Sequence, residues 1–406
     1  MPVACFNQFF WPDTAATGQL LADVVEALAH EDRGSERPLV ICSEAQYGDR
    51  DDAPEPSARI LRTKPLPFQR GHARRAASYA SYMLASWRRA FQLGESDVVL
   101  TMTTPPLLSL TGNLMRLLHG SRHVIWEMDV YPDVAVDLGV FSANSLVTRL
   151  LAAVSNWSRN RADAIIALGE EMKDRLVAQG IPANKIHVCE NWADGAQIQP
   201  VPFPDGPLHL HYSGNLGLAH DIATVRDVIR DLKDDTRFRF TFAGAGPRRK
   251  EFEQFCAANS LASVRFQPYA SRAGLSESLG EGHIGLVTQK PETLGSVVPS
   301  KTYGIMAAGR PILFIGPRQA TPARIIDRFD CGWRVDPGDG AGLRALLETL
   351  AANPDLIYRA GARARTAFEQ HYDRAIGVAR ILDVIEARPI AAAVRKDVPI
   401  ASSSKS

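Results

Sequence analysis

No run of the roughly 18 apolar residues that would span a bilayer occurs in this chain. Its start, MPVACFNQFFWPD, has no basic segment ahead of an apolar one. The first absence excludes a membrane-spanning helix and the second a secretory signal, so the expectation is a cytosolic chain that meets membranes only at their surface. There is no CxxC pair and no histidine cluster at metal-ligand spacing. Cys5, Cys42, Cys189, Cys256 and Cys331 are scattered and read as reduced, mostly buried thiols. Neither GxxxxGK(S/T) nor GxGxxG is present, which weighs against P-loop and dinucleotide-binding readings. The letters of a DxD occur once, at Asp49, Arg50 and Asp51, among turn residues outside any strand end, and read as a solvated turn. A formal net charge of +1 excludes a wholesale nucleic-acid coat.

What is present is a chain of 406 residues, enough for two domains. Short apolar runs alternate with stretches of helical period, the pattern of doubly wound parallel sheets. Strands are expected at 3–6, 39–42, 98–102, 124–126, 164–168 and 186–189. They lack alternation, as suits strands covered on both faces. The stretch NWADGAQIQPVPFPDGP carries four prolines and reads as a linker, after which the scheme begins again. Further strands are expected at 208–212, 238–242, 264–266, 284–287, 311–314 and 332–335. The organisation is a first α/β domain over 1–190, a linker over 191–206, and a second α/β domain over 207–370. A helix over 371–388 is expected to return to the first domain, followed by a disordered tail over 389–406. Two such sheets facing one another leave one deep cleft outside the carboxyl ends of their strands, where ligands bind.

Five loops follow strands at positions that should face this cleft. They are PDTAATG ending in Gly18, SGNLG with Gly214 and Asn215, GAGP with Gly244 and Gly246, VVPSK with Pro299, Ser300 and Lys301, and WEMDVYPD with Asp129. Glycine lets backbone amides approach an anionic ligand, and a following helix N-terminus favours negative charge. Asp129, at a strand's carboxyl end, is the candidate to orient an acceptor hydroxyl or take up its proton, with Glu127 the competing carboxylate.

The order of FFWPDTAATGQLL, DVYPDVAVDLGVF, ALGEEMKDRL, ENWAD, HYSGNLGLAHD, FAGAGP and VPSKTYGIMAAGRPILFIG resembles glycosyltransferase family 4. The nearer likeness is to members that build bacterial O-antigens, capsules and exopolysaccharides. The resemblance implies the two-domain GT-B fold and an NDP-sugar donor, most readily a UDP-sugar, held by the second domain. It also implies an acceptor met by the first domain, retention at the anomeric carbon, and no metal or other cofactor. The implied donor-binding residues are Gly18, Gly214, Asn215, Gly244, Gly246, Tyr269, Pro299, Ser300, Lys301 and Tyr303. Family members often place an arginine and a lysine on the donor diphosphate, where this chain has Asn215 and His220. The paired glutamates of the family correspond here to Ser296 and Gly304. Lys301 is therefore expected to supply the main charge on the diphosphate, assisted by a protonated His220 whose pKa the diphosphate would raise.

Between Glu55 and Glu95 there is no acidic residue, but eight basic ones, among them Arg74, Arg75, Arg88 and Arg89, with Trp87 and other aromatics between. This stretch fits an anionic membrane surface or a lipid-linked acceptor, and places the chain at the inner face of the plasma membrane. The same stretch could instead be a plain helix with core aromatics and solvated arginines. Two other functions fit the fold: an NDP-sugar 2-epimerase, which would need several acid/base groups in the cleft, and a non-catalytic NDP-sugar-binding protein.

Overall fold

Apolar runs too short for helices become the strands of two parallel sheets. The computed structural model describes residues 2–30, 37–44, 54–67, 72–94 and 96–387; the triplet at 49–51 and the tail at 389–406 lie outside them. The first sheet takes β1 (Val3–Phe6), β2 (Leu39–Ser43), β3 (Arg59–Thr63), β4 (Val98–Thr101), β5 (Arg122–Trp126), β6 (Ala164–Ala167) and β7 (Ile186–Val188), in the order β3-β2-β1-β4-β5-β6-β7. Between them run α1 (Ala16–His30), α2 (His72–Gln92), α3 (Ser109–His119), α4 (Asp133–Asp137), α5 (Leu146–Arg161) and α6 (Glu170–Ala178). The second sheet takes β8 (Leu208–Ser213), β9 (Phe238–Ala243), β10 (Val264–Gln267), β11 (Ile284–Thr288), β12 (Ile312–Ile315) and β13 (Gly332–Val335), in the order β10-β9-β8-β11-β12-β13. Its helices are α7 (Ala223–Asp231), α8 (Arg249–Ala258), α9 (Leu275–Gly280), α10 (Lys301–Ala307), α11 (Thr321–Phe329) and α12 (Gly340–Ala352), followed by α13 (Pro354–His371) and α14 (Arg374–Ile385). Pairing is parallel throughout, with Phe6 opposite Thr101 and Gly285 opposite His211 as examples of register.

The local reasons are visible in the sequence. In α1 the apolar positions Leu20, Leu21, Val24, Val25 and Leu28 recur at helical spacing and are buried against the sheet. Asp221 starts α7 by accepting from the Thr224 amide (3.2 Å) and hydroxyl (2.7 Å), and Ser145 starts α5 by accepting from the Thr148 amide (3.1 Å). The strand β3 is absent from the sequence expectations because RILRT is an edge strand: Arg59 is exposed and only Thr63 is buried, so no apolar run marks it. The last helix, α14, leaves the second sheet and packs against α1, its Val378, Ile381 and Leu382 joining the same core as Val24 and Val25. Arg122 of β5 donates to the carbonyls of Val384 (2.8 Å) and Ile385 (2.9 Å), which ties that helix down at its carboxyl end.

In each sheet the order of strands turns round at one place, between β1 and β4 in the first and between β8 and β11 in the second. Backbone groups left unpaired at the carboxyl ends there open a crevice, and this is where open α/β sheets take ligands. All five cysteines are buried and unbridged, and burial pushes the Cys5 thiol up to about 12. Among the described residues no helix is long and apolar enough to cross a membrane.

Candidate active site

On the second-sheet side the crevice is floored by two glycine loops laid against each other. The Gly214 amide donates to Ala243 (2.8 Å) and the Leu216 amide to Ala245 (2.7 Å). Gly214 and Gly244 have φ of +135° and +128°, a region that glycine enters at little cost and other residues rarely adopt. Space demands glycine too. A Cβ on Gly244 would strike the Gly214 carbonyl, and one on Gly214 would strike the Lys301 side chain. Gly246, also at positive φ, lies against Asn215 and Leu216.

Lys301 opens α10 and reaches back under the first of these loops. Its Nζ lies 3.2 Å from His220 Nε2 and 5.2 Å from the centre of the Tyr212 ring. His220 in turn sets its Nδ1 at 2.8 Å from the carbonyl of Thr288, the last residue of β11. A carbonyl only accepts, so Nδ1 carries the ring proton, and Nε2 is left as the acceptor for the Lys301 ammonium. Among the described residues no carboxylate lies within ion-pair distance of Lys301. Burial lowers its pKa to about 8.

His220, expected to be charged beside a bound diphosphate, is uncharged in its own surroundings. Burial and then the adjacent Lys301 ammonium push its imidazolium down to about 3, so the ring is neutral and holds Lys301 rather than adding charge to it. Tyr303 is corrected by its position. It is fully buried, with its ring 5.3 Å from that of Tyr372 in the core beneath α10, and does not reach the crevice.

On the first-sheet side the two carboxylates of WEMDVYPD have parted company. Alternation stops where β5 ends at Trp126. Glu127 is buried against Arg159 of α5, which donates to both its oxygens at 2.6 and 3.2 Å and to the Tyr131 carbonyl at 3.0 Å. Asp129 makes no such pair; its backbone bridges to Val297 across the crevice. Burial, with the Glu127 charge behind it, raises the Asp129 carboxyl to about 6.

Two links seat this loop on the segment that leads to Lys301, and two more join α6 to the second domain. Besides the Asp129–Val297 bridge, the Val130 amide donates to Ser296 (2.9 Å), and Arg175 of α6 donates to the Leu294 carbonyl (2.8 Å). Glu171, also of α6, accepts from the amide (2.7 Å) and hydroxyl (2.9 Å) of Thr321, so a first-domain carboxylate caps α11 of the second. Val297 stands four residues before Lys301, so the candidate proton acceptor and the candidate phosphate cation face one crevice. Pro299 and Ser300 lie on the same segment, Pro299 with its carbonyl taken by the Thr302 hydroxyl (3.3 Å). Tyr269, just past β10, lies against Gly244 with much of its ring exposed.

Gly18 is within the first turn of α1, where its amide donates to Ala15 (2.9 Å) and its lack of a side chain lets the helix approach Phe9 and Phe10. Arg74, Arg75, Trp87, Arg88 and Arg89 lie on α2, and all but the partly covered Arg89 are exposed, with Arg75 near enough to the Asp129 loop for its charge to act on the Tyr131 hydroxyl. The acid-free stretch divides: Tyr82 is core, bonded to the Ile41 carbonyl (2.7 Å), whereas Trp87 and Phe91 face outward. Sequence reading missed Tyr212, Arg248 and Glu171. Arg248, which donates to the His220 carbonyl (3.2 Å), follows GAGP directly and could have been found as the next cation. Nothing local marks Glu171, because its partner Thr321 is 150 residues away.

Known proteins resemble this chain over both halves. A family model described as a glycosyl transferase 4-like domain matches residues 18–192. WbjE of Pseudomonas aeruginosa, a candidate glycosyltransferase, is 28% identical over 292 residues, 70% of this chain and 72% of its own length. WcaI of Escherichia coli K12, a candidate colanic acid biosynthesis glycosyl transferase, is 24% identical over 336 residues, 76% of this chain and 82% of its own. Among solved structures, that of Anabaena HepE with UDP and glucose superposes with a TM-score of 0.72 at 14% identity, covering 95% of this chain and all of that one. WaaG, a glycosyltransferase involved in lipopolysaccharide biosynthesis, gives a TM-score of 0.69 at 15% identity, covering 94% and 99%. With relatives spanning both domains, two parallel sheets meeting at their switch points and a crevice between them, the chain has the GT-B fold and is similar to the glycosyltransferases of family 4, whose model matches its first domain.

Proposed function

We propose that this enzyme transfers a sugar, with retention and without a metal, from a UDP-sugar to a lipid-linked or oligosaccharide acceptor during cell-surface glycan synthesis at the inner face of the plasma membrane. The observation that carries the reading is the half-buried Lys301 ammonium, set under a glycine loop at the strand-order reversal with a neutral imidazole as its partner. A cation desolvated without a carboxylate is favoured by an arriving anion, and a diphosphate gains charge as the glycosidic bond breaks. Gly214 and Gly244 let backbone approach the phosphates, and Tyr269 stacks on the base. The donor class is supported by HepE, whose structures hold UDP, UDP with glucose, and UDP-glucose.

Asp129 acts across the crevice. A carboxyl raised to about 6 is ionised at neutral pH yet basic enough to take the acceptor hydroxyl proton as that oxygen attacks. Glu127 is neutralised by Arg159 and His220 is committed to Thr288 and Lys301, which leaves the crevice short of the several acid/base groups an epimerase would need. The test is a thermal-shift screen of purified protein with UDP-, GDP- and dTDP-sugars, followed by turnover of the best donor in EDTA. A UDP-sugar at 100 times its dissociation constant should add about 2.7 kcal/mol of stability. Turnover lost with chelator and restored by magnesium or manganese would overturn the metal-free reading.

A further inference from the structure

The helix α5 is built inside out. Its buried positions are Thr148, Ser155, Ser158 and Arg159, all polar. They are satisfied inward, Ser158 by the Ser109 hydroxyl (2.7 Å) and Asn113 (2.7 Å), Arg159 by Glu127. Its outward stripe is apolar: Leu146 is 81% exposed, Leu150 65% and Val147 63%, with Trp157 at 49% two turns on. These positions recur at spacings of 3, 4 and 7, one face of a helix. A helix of a water-facing surface has the opposite arrangement.

This stripe has neighbours of the same kind. Helices α2, α3 and α5 follow one another over the same face of the first sheet, joined by His119 to the Ala90 carbonyl (3.3 Å) and by the Asn113–Ser158 bonds. On α2 the outward residues Leu84, Trp87 and Phe91 are interleaved with Arg88, and on α3 Leu117 is 82% exposed. None of the three helices contains an aspartate or glutamate. Basic side chains border the apolar ones, with the Arg161 guanidinium 4.6 Å over the Trp157 ring. A protein partner gives no reason to remove every acidic residue from three helices, whereas an anionic bilayer does. Trp and Arg at the rim of an apolar stripe suit the headgroup boundary, where long basic side chains keep their charge in water.

We infer that the joint outer surface of α2, α3 and α5 docks on an anionic membrane, α5 inserting its Leu146, Val147, Leu150 and Trp157 side chains and α2 supplying the electrostatic attachment. The inference rests on the lipid-linked acceptor proposed above and deepens it. Arg159 joins α5 directly to the Tyr131 carbonyl, two residues from Asp129, so a docked face brings the acceptor side of the crevice to the lipid surface.

The two helices are separable by salt. Full-length protein is sedimented with vesicles of 70% phosphatidylcholine and 30% phosphatidylserine, values chosen as about the anionic content needed for a strong surface potential. Reversal of Arg74, Arg75, Arg88 and Arg89 to glutamate should weaken binding at least about tenfold at low salt, where charge is least screened. The variant Leu146→Ser, Val147→Ser, Leu150→Ser should instead lose the fraction that survives about 0.5 M salt. Trp157 fluorescence should shift to the blue on vesicles and be quenched by brominated lipid, a signal absent from Trp157→Phe. The inference is overturned if the triple serine variant binds vesicles as the native chain does. It is equally overturned if native protein is a dimer in sedimentation velocity and that variant a monomer, since the stripe would then lie between two copies. UDP-sugar stabilisation of each variant, measured alongside, reports the donor site separately, so failure of docking and failure of the transferase reading give different results.

Discussion

The two sides of the crevice treat a desolvated cation in opposite ways. On the first-sheet side Arg159 is bound by both oxygens of Glu127, and charge is balanced within the protein. On the second-sheet side Lys301 has an imidazole and an aromatic ring but, among the described residues, no carboxylate, and its pKa falls to about 8. A buried cation that carries its own anion is part of the framework. One that is desolvated without an anion costs stability until a ligand supplies the charge.

The strongest way to break this comparison is to remove the framework cation. Arg159→Ala should destabilise the protein by about 3–5 kcal/mol, because Glu127 is left buried and uncompensated. The loss should show as a lower urea midpoint at unchanged slope. The double variant Glu127→Gln, Arg159→Met should recover most of it. A single variant as stable as the native chain would mean that the Arg159–Glu127 pair is no part of the framework.

Removing the other cation should act in the reverse sense. Lys301→Met is expected to lower kcat by about 10²–10³, or about 2.7–4 kcal/mol as for a lost oxyanion donor. The same change should raise Tm by about 2–4 °C, from relief on the order of 1 kcal/mol in a domain of this size. Lys301 has a folded pKa of about 8 against 10.5 when free. The unfolded chain therefore holds more protons between those values, and native stability should rise with pH through that window. Lys301→Met should not show this rise. Native kcat combined with a lowered Tm would make Lys301 a framework residue like Arg159.

The finest test is the pH dependence of kcat/KM for the donor, which reports the free enzyme. Asp129 must be ionised to accept a proton, so activity should climb through about pH 6. Lys301 must be protonated, so activity should fall through about pH 8. Asp129→Asn should abolish what depends on the first limb, and His220→Gln should leave the second in place. Because glutamine keeps an acceptor for Lys301, the loss should be only about 1 kcal/mol. A flattened alkaline limb in His220→Gln would hand the charge back to the histidine.

The sequence by itself determined the two-sheet architecture, since short apolar runs without alternation between helical stretches allow few other solutions. It also marked Lys301, Asp129 and the glycine loops, because their chemistry is tied to positions at strand ends. What only the tertiary structure decided is which groups share an environment. His220 is neutral because folding buries it between a carbonyl and an ammonium, and Tyr303 is core because α10 turns it inward. Glu127 lost its candidacy to Arg159, 32 residues away, and Glu171 gained a role from Thr321. The inverted face of α5 could have been read from the missing acidic residues, but not which of its sides was buried. Local pattern fixes backbone preference, whereas charge state and accessibility are set by distant neighbours that only the fold brings together.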